Sequence, residues 1–448
     1  MQLDLRWLSL GLALLACAES SEAPQDAGES AESETESPGD GDPTTDAEES
    51  ETLGDGDGDG DGDGDGDGDG EPSGSADCRT GTTFDGEVVS FEFEDPCGVE
   101  CGLDWGHPTP SLDIEWTLAL GDPNIGSGGV ALLPGPDDTI LSVAWQNGLM
   151  PRIDAITPDG DIAWTIESPV APGLHDATID QAGVLYLLHF QNYPNPALVS
   201  AITLTGEHLW TFDLQAGAAM EIEPTATGVV ALQAGFPFRE KHLYAISSAG
   251  ALEWMKTLET STFTVGPDGT LAHAGSTVLT TLAPDGTELG TAPLPELETA
   301  WALSYLDDSR LAYVGFLPGF PARDAAIGIH DFDGRGWQRR FHDGDAKCDD
   351  FGLTTASQEW PLAVEPLADG SLIVTGEISY EGDVWWPWDY KFSFVARVDA
   401  SGELLGVDRV FAGSRGVTAL AGSDGSAYVM FNEERSVVRT WVRKYAID

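Results

Sequence analysis

Two short sequence patterns alternate from residue 111 to residue 448. The first is a tight turn followed by an apolar or alternating segment, which is typical of a buried or half-buried β-strand. It occurs seven times, with strands predicted over residues 139–146, 184–190, 229–234, 270–274, 310–316, 371–377 and 426–431. The second is a strand, a Gly turn and another strand, and its six copies turn at Gly160, Gly206, Gly250, Gly286, Gly334 and Gly402. Together the two patterns predict a four-stranded unit that repeats about every 48 residues.

The seventh copy of the second pattern is split between the two ends of this region. A strand is predicted over residues 438–448, and no partner strand follows it. The matching strand, residues 112–118, opens the region instead. Pairing the two strands would close seven four-stranded units into a ring and remove a free sheet edge. The sequence therefore predicts an all-β fold, a seven-bladed β-propeller over residues 111–448, in preference to a sandwich or to a solenoid with capped ends.

Tryptophan follows three of the Gly turns at the same distance, at Trp164, Trp210 and Trp254. Because these residues recur in register, we expect them to pack between blades. The segment Val-Ser-Ala-Ile-Thr-Leu-Thr-Gly-Glu-His-Leu-Trp at 199–210 and Leu-Tyr-Ala-Ile-Ser at 243–247 resemble the blades of pyrroloquinoline-quinone-type propellers. That family includes quinoprotein dehydrogenases and the propeller lipoprotein of the outer-membrane β-barrel assembly machinery. Its members typically have eight blades, whereas this sequence predicts seven.

The N-terminal residues 1–16 have the pattern of a signal peptide. A single Arg precedes a ten-residue, mostly apolar run that is too short to span a bilayer. The run ends in Leu14-Leu15-Ala16-Cys17, which resembles the lipobox of bacterial lipoproteins. The resemblance implies cleavage before Cys17 and a diacylglycerol on its thiol, which would anchor the protein in the cell envelope. Ala18 favours the outer membrane, on its periplasmic or its surface side, and an ordinary secreted protein is the alternative.

Residues 17–77 form an acidic, Gly-Asp-rich segment with no aromatic residue and no Lys or Arg. Such a segment buries too little apolar surface to offset its chain entropy, so we predict a disordered tether. It resembles the spacers of myxobacterial surface lipoproteins. The Gly-Asp run also imitates a calcium loop, but Glu71 never falls at the twelfth position that an EF-hand loop requires, so no metal site is predicted.

The charge of the chain limits its partners. The formal net charge is −57, from 77 acidic and 20 basic residues. Nucleic acid needs clustered Lys and Arg, and so does an anionic lipid surface. We therefore expect no nucleic-acid partner, and membrane contact through the lipid on Cys17 only.

Four cysteines remain after Cys17: Cys78, Cys97, Cys101 and Cys348. An even number in an exported protein predicts two disulfides, and four cysteines allow three connectivities. Three of the four lie in residues 78–110, a Cys-containing N-terminal segment, so full pairing would join one of them to Cys348. The sequence leaves the connectivity open.

The candidate ligand-binding residues lie on the loops opposite the two classes of tight turn. One loop holds four aromatic residues, which are costly to expose unless they bind a sugar ring or a protein partner. The alternative is that this loop folds back and plugs the central channel. The candidates are Trp385, Trp386, Trp388, Tyr390, Trp360, Tyr193, His175, Asp176, Arg239, Arg323 and Arg415.

Catalytic motifs offer little support for an enzyme. Gly126–Ala131 imitates a dinucleotide fingerprint, yet it opens a strand rather than a helix. Residues 412–416 imitate a nucleophile elbow without its first Gly. A quinoprotein dehydrogenase would carry adjacent cysteines beside quinone and calcium, and this chain has no Cys-Cys pair, so we predict no cofactor. The leading hypothesis is an envelope lipoprotein whose propeller binds or scaffolds a protein partner; a glycan-binding propeller is the second, and a hydrolase, lyase or quinone-dependent enzyme the third.

Overall fold

The computed structural model describes most of the chain from Leu112 onward. The described residues are 112–121, 126–146, 150–170, 173–190, 196–235, 240–260, 262–275, 277–294, 297–318, 325–332, 336–341, 345–348, 353–380, 391–411, 414–434 and 438–447, with 80–82, 88–90 and 99–100. For some strand residues only the backbone is described. The predicted signal peptide and tether, with Cys17, lie outside the described residues, as do Cys78, Cys97 and Cys101.

The strands form seven antiparallel blades, and we label the strands of each blade A to D in the order in which they pair. Blades 1 and 2 contain Ser127–Pro134, Ile140–Gln146, Arg152–Ile156 and Ile162–Glu167, then Leu174–Ile179, Val184–His189, Pro196–Thr203 and the first part of His208–Pro224. Blades 3 and 4 contain the rest of His208–Pro224 with Gly228–Gly235, Lys241–Ser247 and Leu252–Leu258, then Thr262–Val265, Leu271–Ala274, Val278–Leu282 and Glu288–Pro293.

Blades 5 and 6 contain Thr299–Asp307, Arg310–Phe316, Ala325–Asp331 and Trp337–Phe341, then Leu353–Pro366, Leu372–Tyr380, Lys391–Val398 and Leu404–Phe411. Blade 7 contains Ser414–Ala421, Ala427–Glu434, Val438–Tyr445 and Ile114–Leu120. One 3-10 turn, Pro136–Asp138, lies in blade 1. The predicted all-β fold is therefore confirmed, with seven blades.

The A strands surround the axis of the propeller. Each A strand contacts the A strand of the next blade, and the A strand of blade 7 contacts that of blade 1, so the contacts close into a ring. The chain thus runs from the axis outward in every blade. Residues between neighbouring blades are apolar and buried, as shown by Leu141, Ile153 and Leu187, which belong to one cluster shared by blades 1 and 2.

Blade 7 is completed by the start of the described propeller. Val438–Tyr445 pairs antiparallel with Ile114–Leu120, with Thr440 opposite Leu120 and Tyr445 opposite Ile114. The closure predicted from the split repeat is confirmed. It joins residues more than 300 positions apart, so the ring is held shut by a hydrogen-bonded ladder rather than by a chain connection.

A buried ion pair supports the closing blade. The Arg443 guanidinium donates to the Asp408 carboxylate over 2.7 Å, and Tyr445 Oη donates to the same carboxylate over 2.7 Å. Asp408 belongs to strand D of blade 6, so this network joins blade 6 to blade 7. Arg443 is fully buried, and burying such a charge is tolerable only while its partner is present.

Tryptophan residues fasten blades to one another. The indole N–H of Trp210 donates to Ser248 O over 2.8 Å, and that of Trp254 donates to Pro284 O over 2.9 Å, each acceptor lying in a C–D turn of the next blade. Trp116 and Trp337 make the same bond to Pro158 O and Ala400 O. Trp164 packs in the cluster between blades 1 and 2. The expected packing of these residues between blades is confirmed.

The Gly turns have a steric reason for their Gly. Gly250 and Gly286 have positive φ, a conformation that L-residues with a Cβ rarely adopt. A Cβ at Gly250 would also lie 2.8 Å from the ring of Trp210, and one at Gly286 would lie 3.0 Å from the ring of Trp254. The Gly and the Trp of neighbouring blades therefore depend on each other.

We predict that Asp408→Ala lowers the free energy of unfolding by about 3–5 kcal/mol, because it removes the carboxylate that pairs with the fully buried Arg443 guanidinium. The control is Asp307→Ala, which removes an ion pair to Arg310 whose side chains are 42% and 41% exposed and should cost about 1 kcal/mol or less. Equilibrium urea unfolding measures both. Equal losses for the two variants would contradict the role of the buried pair.

Candidate functional site

The two faces of the propeller carry different connections. The A–B and C–D connections share one face, which we call the turn face, and they are mostly tight turns such as Asp180–Gly183 and Ser247–Gly250. The B–C and D–A connections share the other face, which we call the loop face. The connection between blades 5 and 6 is the most elaborate, since it contains the extra strand Asp345–Cys348. Variation is thus concentrated on the loop face, where sequence analysis placed the candidate residues.

Most A strands carry a β-bulge near the loop face. The pairing with strand B skips one residue in the described A strands of six blades, and the extra residues are Val130, His175, Met220, Trp301, Leu362 and Val417. A bulge re-aims the side chain of the extra residue and bends the strand. Four of these six residues are aliphatic or Met, and the exceptions are His175 and Trp301.

Trp301 belongs to an aromatic cluster at the loop-face end of the inner strands. Its ring centroid lies 6.3 Å from that of Trp360 in blade 6 and 5.8 Å from that of Phe316, in both cases edge to face. The rings of Phe316 and Trp360 are 5.0 Å apart. Phe316 is buried, whereas both indoles are only half-buried. The cluster therefore leaves two indoles partly exposed near the loop-face ends of the inner strands of blades 5 and 6.

The candidates from the sequence fall into three groups. Trp360 lies in the aromatic cluster, and His175 is exposed at the bulge of blade 2. Asp176 lies next to His175, but its carboxylate turns inward. Only the backbone of Arg415 is described, as the second residue of Ser414–Ala421. The others lie outside the described residues: Tyr193, Arg239, Arg323, Trp385, Trp386, Trp388 and Tyr390.

Asp176 joins two blades. Its Oδ2 accepts from the backbone N–H of Ile222 in blade 3 over 3.0 Å, and its Oδ1 accepts from Ala177 N–H over 2.8 Å. Glu221 holds the same place in blade 3, one residue after the bulge. Its carboxylate accepts from Phe263 N–H in blade 4 over 3.0 Å and from the Thr262 hydroxyl over 3.0 Å. These carboxylates satisfy backbone donors on inner strands, which have no strand partner on the axial side.

Glu223 and Glu365 occupy a second level, each three residues after the bulge of its blade. The Glu365 carboxylate accepts from Ala421 N–H in blade 7 over 3.3 Å. Burial, together with repulsion from Glu221, Asp176 and Glu365, raises the pKa of Glu223 well above its usual range. The four carboxylates come from the inner strands of three blades, namely 2, 3 and 6.

The four carboxyl groups are difficult to ionise. Burial raises the pKa of Asp176 to about 7, that of Glu221 to about 8 and that of Glu365 to about 7. Near neutral pH these carboxyl groups are therefore partly protonated, and they can donate as well as accept hydrogen bonds. Among the described residues no group of His, Cys, Asp and Glu is arranged to hold a metal ion.

Sequence reasoning found Asp176 but missed its three acidic neighbours. Glu221 and Glu223 stand in a segment where polar and apolar residues alternate, which is also the pattern of a strand with one face in solvent, and Glu365 follows the apolar residues 361–364. Their neighbours lie 40 or more residues away along the chain, as Ile222 does for Asp176. Aligning the A strands of the repeat by their bulges would have placed Asp176 and Glu221 at equivalent positions.

Comparisons with known proteins identify no family. No family model matches the chain, and no curated protein matches it. Among solved structures, the C-terminal WD40 domain of Sif2 has a TM-score of 0.46 at 10% identity over 76% of this chain and 99% of that one. A protein of unknown function from Bacteroides caccae has a TM-score of 0.36 at 14% identity, over 67% and 99%. Hydrazine synthase of Kuenenia stuttgartiensis has a TM-score of 0.42 at 14% identity, over 61% and 80%.

The channel carboxyls predict how stability depends on pH. Their pKa values are higher in the folded protein than in the unfolded chain, so the folded state binds more protons between about pH 4 and pH 8. The free energy of unfolding should therefore fall as pH rises through 7 to 8. Burial lowers the pKa of His273 to about 4, which has the opposite effect below about pH 6.5, so pH 6.5–8.5 is the informative window.

The variant Glu223→Gln tests this pH dependence, because it removes one of the four carboxyl groups. The variant should stabilise the protein at pH 8.5 by about 1–3 kcal/mol and flatten the decline between pH 6.5 and pH 8.5. Glu253→Gln, at an exposed position on blade 3, removes one charge without touching the channel. Thermal unfolding at both pH values measures the difference. The same slope in Glu223→Gln as in the wild type would contradict the assignment.

Proposed function

We propose that this chain is a lipoprotein of the bacterial cell envelope whose propeller binds a protein partner through its loop face. The observation that carries the proposal is the half-buried pair Trp301 and Trp360 near the loop-face ends of the inner strands of blades 5 and 6. Tryptophan is enriched at the centres of protein interfaces, where its large apolar surface becomes desolvated. A β-propeller is consistent with a binding or scaffolding module.

The acidic interior supports a partner with a basic or apolar contact surface. Glu365 lies on the same inner strand as Trp360, whereas Asp176, Glu221 and Glu223 lie on the inner strands of blades 2 and 3. The chain as a whole has a net charge of −57, so a strongly acidic partner would be repelled over long range. The same charge makes association with a basic partner faster at low salt.

The envelope location rests on the N-terminal sequence. The lipobox-like Leu14-Leu15-Ala16-Cys17 would supply a lipid anchor, and residues 17–77 would hold the propeller away from the membrane. A Gly-rich tether of about 60 residues has an average reach of about 40–45 Å. No helix among the described residues is long and apolar enough to cross a membrane.

The repeat itself supports a relationship to pyrroloquinoline-quinone-type propellers. The resemblance rests on the segments 199–210 and 243–247. Trp210 and Trp254, which each follow a Gly turn by four residues, fasten neighbouring blades in this chain. The relationship that we propose concerns the architecture of the blades. It brings no quinone and no dehydrogenase activity to this chain.

A face-specific photo-crosslinking experiment tests the binding surface. A photoreactive amino acid at Met150 or Pro318, both exposed beside the loop face, should give an adduct of one discrete mass in envelope preparations. The same probe at Asp285, in a tight turn of the turn face, should give none. Equal labelling from both faces, or labelling from neither, would contradict the proposal.

Replacing the two indoles tests the observation that carries the proposal. The double variant Trp301→Ala/Trp360→Ala should reduce the loop-face adduct at least tenfold, because the loss of two anchors costs more than about 1.4 kcal/mol. Leu289→Ala removes a side chain that is 61% exposed on strand D of blade 4 and should leave the adduct unchanged. A thermal melt of each variant separates lost binding from lost folding.

Glycan recognition is the second candidate, because half-buried indoles also stack on sugar rings. A glycan array probed with the wild type and with a variant carrying Ala at 385, 386 and 388 distinguishes it. Binding to one glycan class that is lost in this variant, without a protein adduct, would favour the glycan.

Lipidation has its own test in living cells. A Cys17→Ser variant should lose incorporation of an alkyne-tagged fatty acid and should move from the membrane fraction to the soluble fraction. Persistent labelling of the variant would contradict Cys17 as the acceptor.

A further inference from the structure

Strands outside the seven blades extend the sheet of blade 6 at both ends. Thr80–Thr82 lies beside the outermost strand of the blade, and Val88–Ser90 pairs with Thr80–Thr82. At the other end, Asp345–Cys348 pairs with Leu353–Pro366, and Val99–Glu100 pairs with Asp345–Cys348. Each addition includes strands of the N-terminal segment, Thr80–Thr82 with Val88–Ser90 at one end and Val99–Glu100 at the other, so blade 6 is where these strands join the propeller.

The register at the second end matches the spacing of two cysteines in the sequence. Glu100 lies opposite Asp345 and Val99 lies opposite Ala346 in an antiparallel ladder. Each step back along one strand is a step forward along the other, so two further steps lead to Cys97 and Cys348. Cys97 itself lies outside the described residues.

We propose that Cys97 and Cys348 form a disulfide bond that fastens the N-terminal segment to the insertion between blades 5 and 6. Residues directly opposite in an antiparallel ladder have Cα atoms about 4.5–5.5 Å apart. Disulfides join residues whose Cα atoms are about 4.4–6.8 Å apart. Opposite residues also direct their side chains to the same face of the sheet, as the bond requires.

The same register argues against the other two partners for Cys348. Cys101 would lie opposite residue 344, four positions from Cys348, which is about 13 Å along the strand. Cys78 precedes Thr80–Thr82, which is five strands from Asp345–Cys348 in the sheet, or about 24 Å. A disulfide spans at most about 7 Å between Cα atoms. Of the three connectivities that four cysteines allow, the register favours the one that contains the bond between Cys97 and Cys348.

Formation of the bond needs an oxidant. Because that oxidant is an exported thiol oxidase, the disulfide proposal rests on the proposed export of the chain. The two thiols lose two protons and two electrons to the disulfide of an exported thiol oxidase. One cysteine thiolate attacks that disulfide and forms a mixed disulfide, and the second thiolate then displaces the oxidase as a reduced dithiol. The bond encloses the chain from blade 1 to blade 5.

Peptide mapping of the exported full-length chain tests the bond. Free thiols are blocked with N-ethylmaleimide at acidic pH, and the protein is digested without reduction. Trypsin cuts after Lys347, and a glutamate-specific protease cuts after Glu100, between Cys97 and Cys101. The expected product is the peptide that begins at Cys348 joined to the peptide that ends at Glu100. Linkage of Cys348 to a peptide containing Cys101 or Cys78, or a maleimide on Cys348, would overturn the proposal.

Two matched variants strengthen the test. Cys97→Ser should free Cys348 for quantitative maleimide labelling, whereas Cys101→Ser should leave the Cys348 peptide linked as in the wild type. Labelling of Cys348 in both variants, or in neither, would overturn the pairing. Loss of fatty-acid incorporation at Cys17 is measured separately, so a failure of the lipoprotein proposal is distinguishable from a failure of the disulfide.

Discussion

The propeller depends on the antiparallel pairing of Ile114–Leu120 with Val438–Tyr445. Without it, blade 7 would lack its outermost strand and the bond from the Trp116 indole to Pro158 O that joins blade 7 to blade 1. The buried pair of Arg443 and Asp408 holds the other side of the closing blade, because it ties the third strand of blade 7 to blade 6. The N-terminal strand is therefore both the start of the propeller and the piece that closes it.

Closure also determines where binding chemistry can lie. Once the ring is shut, the tight A–B and C–D turns fill one face, where Trp210 and Trp254 join each blade to the next. Insertions collect on the other face, at the ends of inner strands that bulge. Trp301 and Trp360 lie at this face, and carboxylates on the inner strands accept hydrogen bonds from neighbouring blades. The Trp contacts that join the blades thus lie at the turn-face ends of the strands, and the residues proposed to bind a partner lie at the loop-face ends.

The sequence predicts the blades and their closure better than it predicts the surroundings of the acidic side chains on the inner strands. The alternating patterns and the split seventh repeat led to seven blades and to their closure, because strand periodicity and turn residues are local signals. The register of Trp164, Trp210 and Trp254 led to their packing between blades. The sequence does not single out Glu221, Glu223 and Glu365, because residues of other blades surround their carboxylates. Asp176 was chosen as a rim residue, and in the structure its carboxylate turns inward to hold Ile222 N–H.

Hydrogen–deuterium exchange of the full-length chain, read by mass spectrometry, tests closure most directly. If the ladder forms, the amides of residues 114–120 and 438–445 exchange as slowly as those of the central strands of blades 1 to 6, since opening them requires opening the ring. Protection in 114–120 should rise and fall with that of 438–445 as denaturant is added. Rapid exchange of 114–120 while blades 1 to 6 remain protected would contradict a propeller closed by its first and last strands.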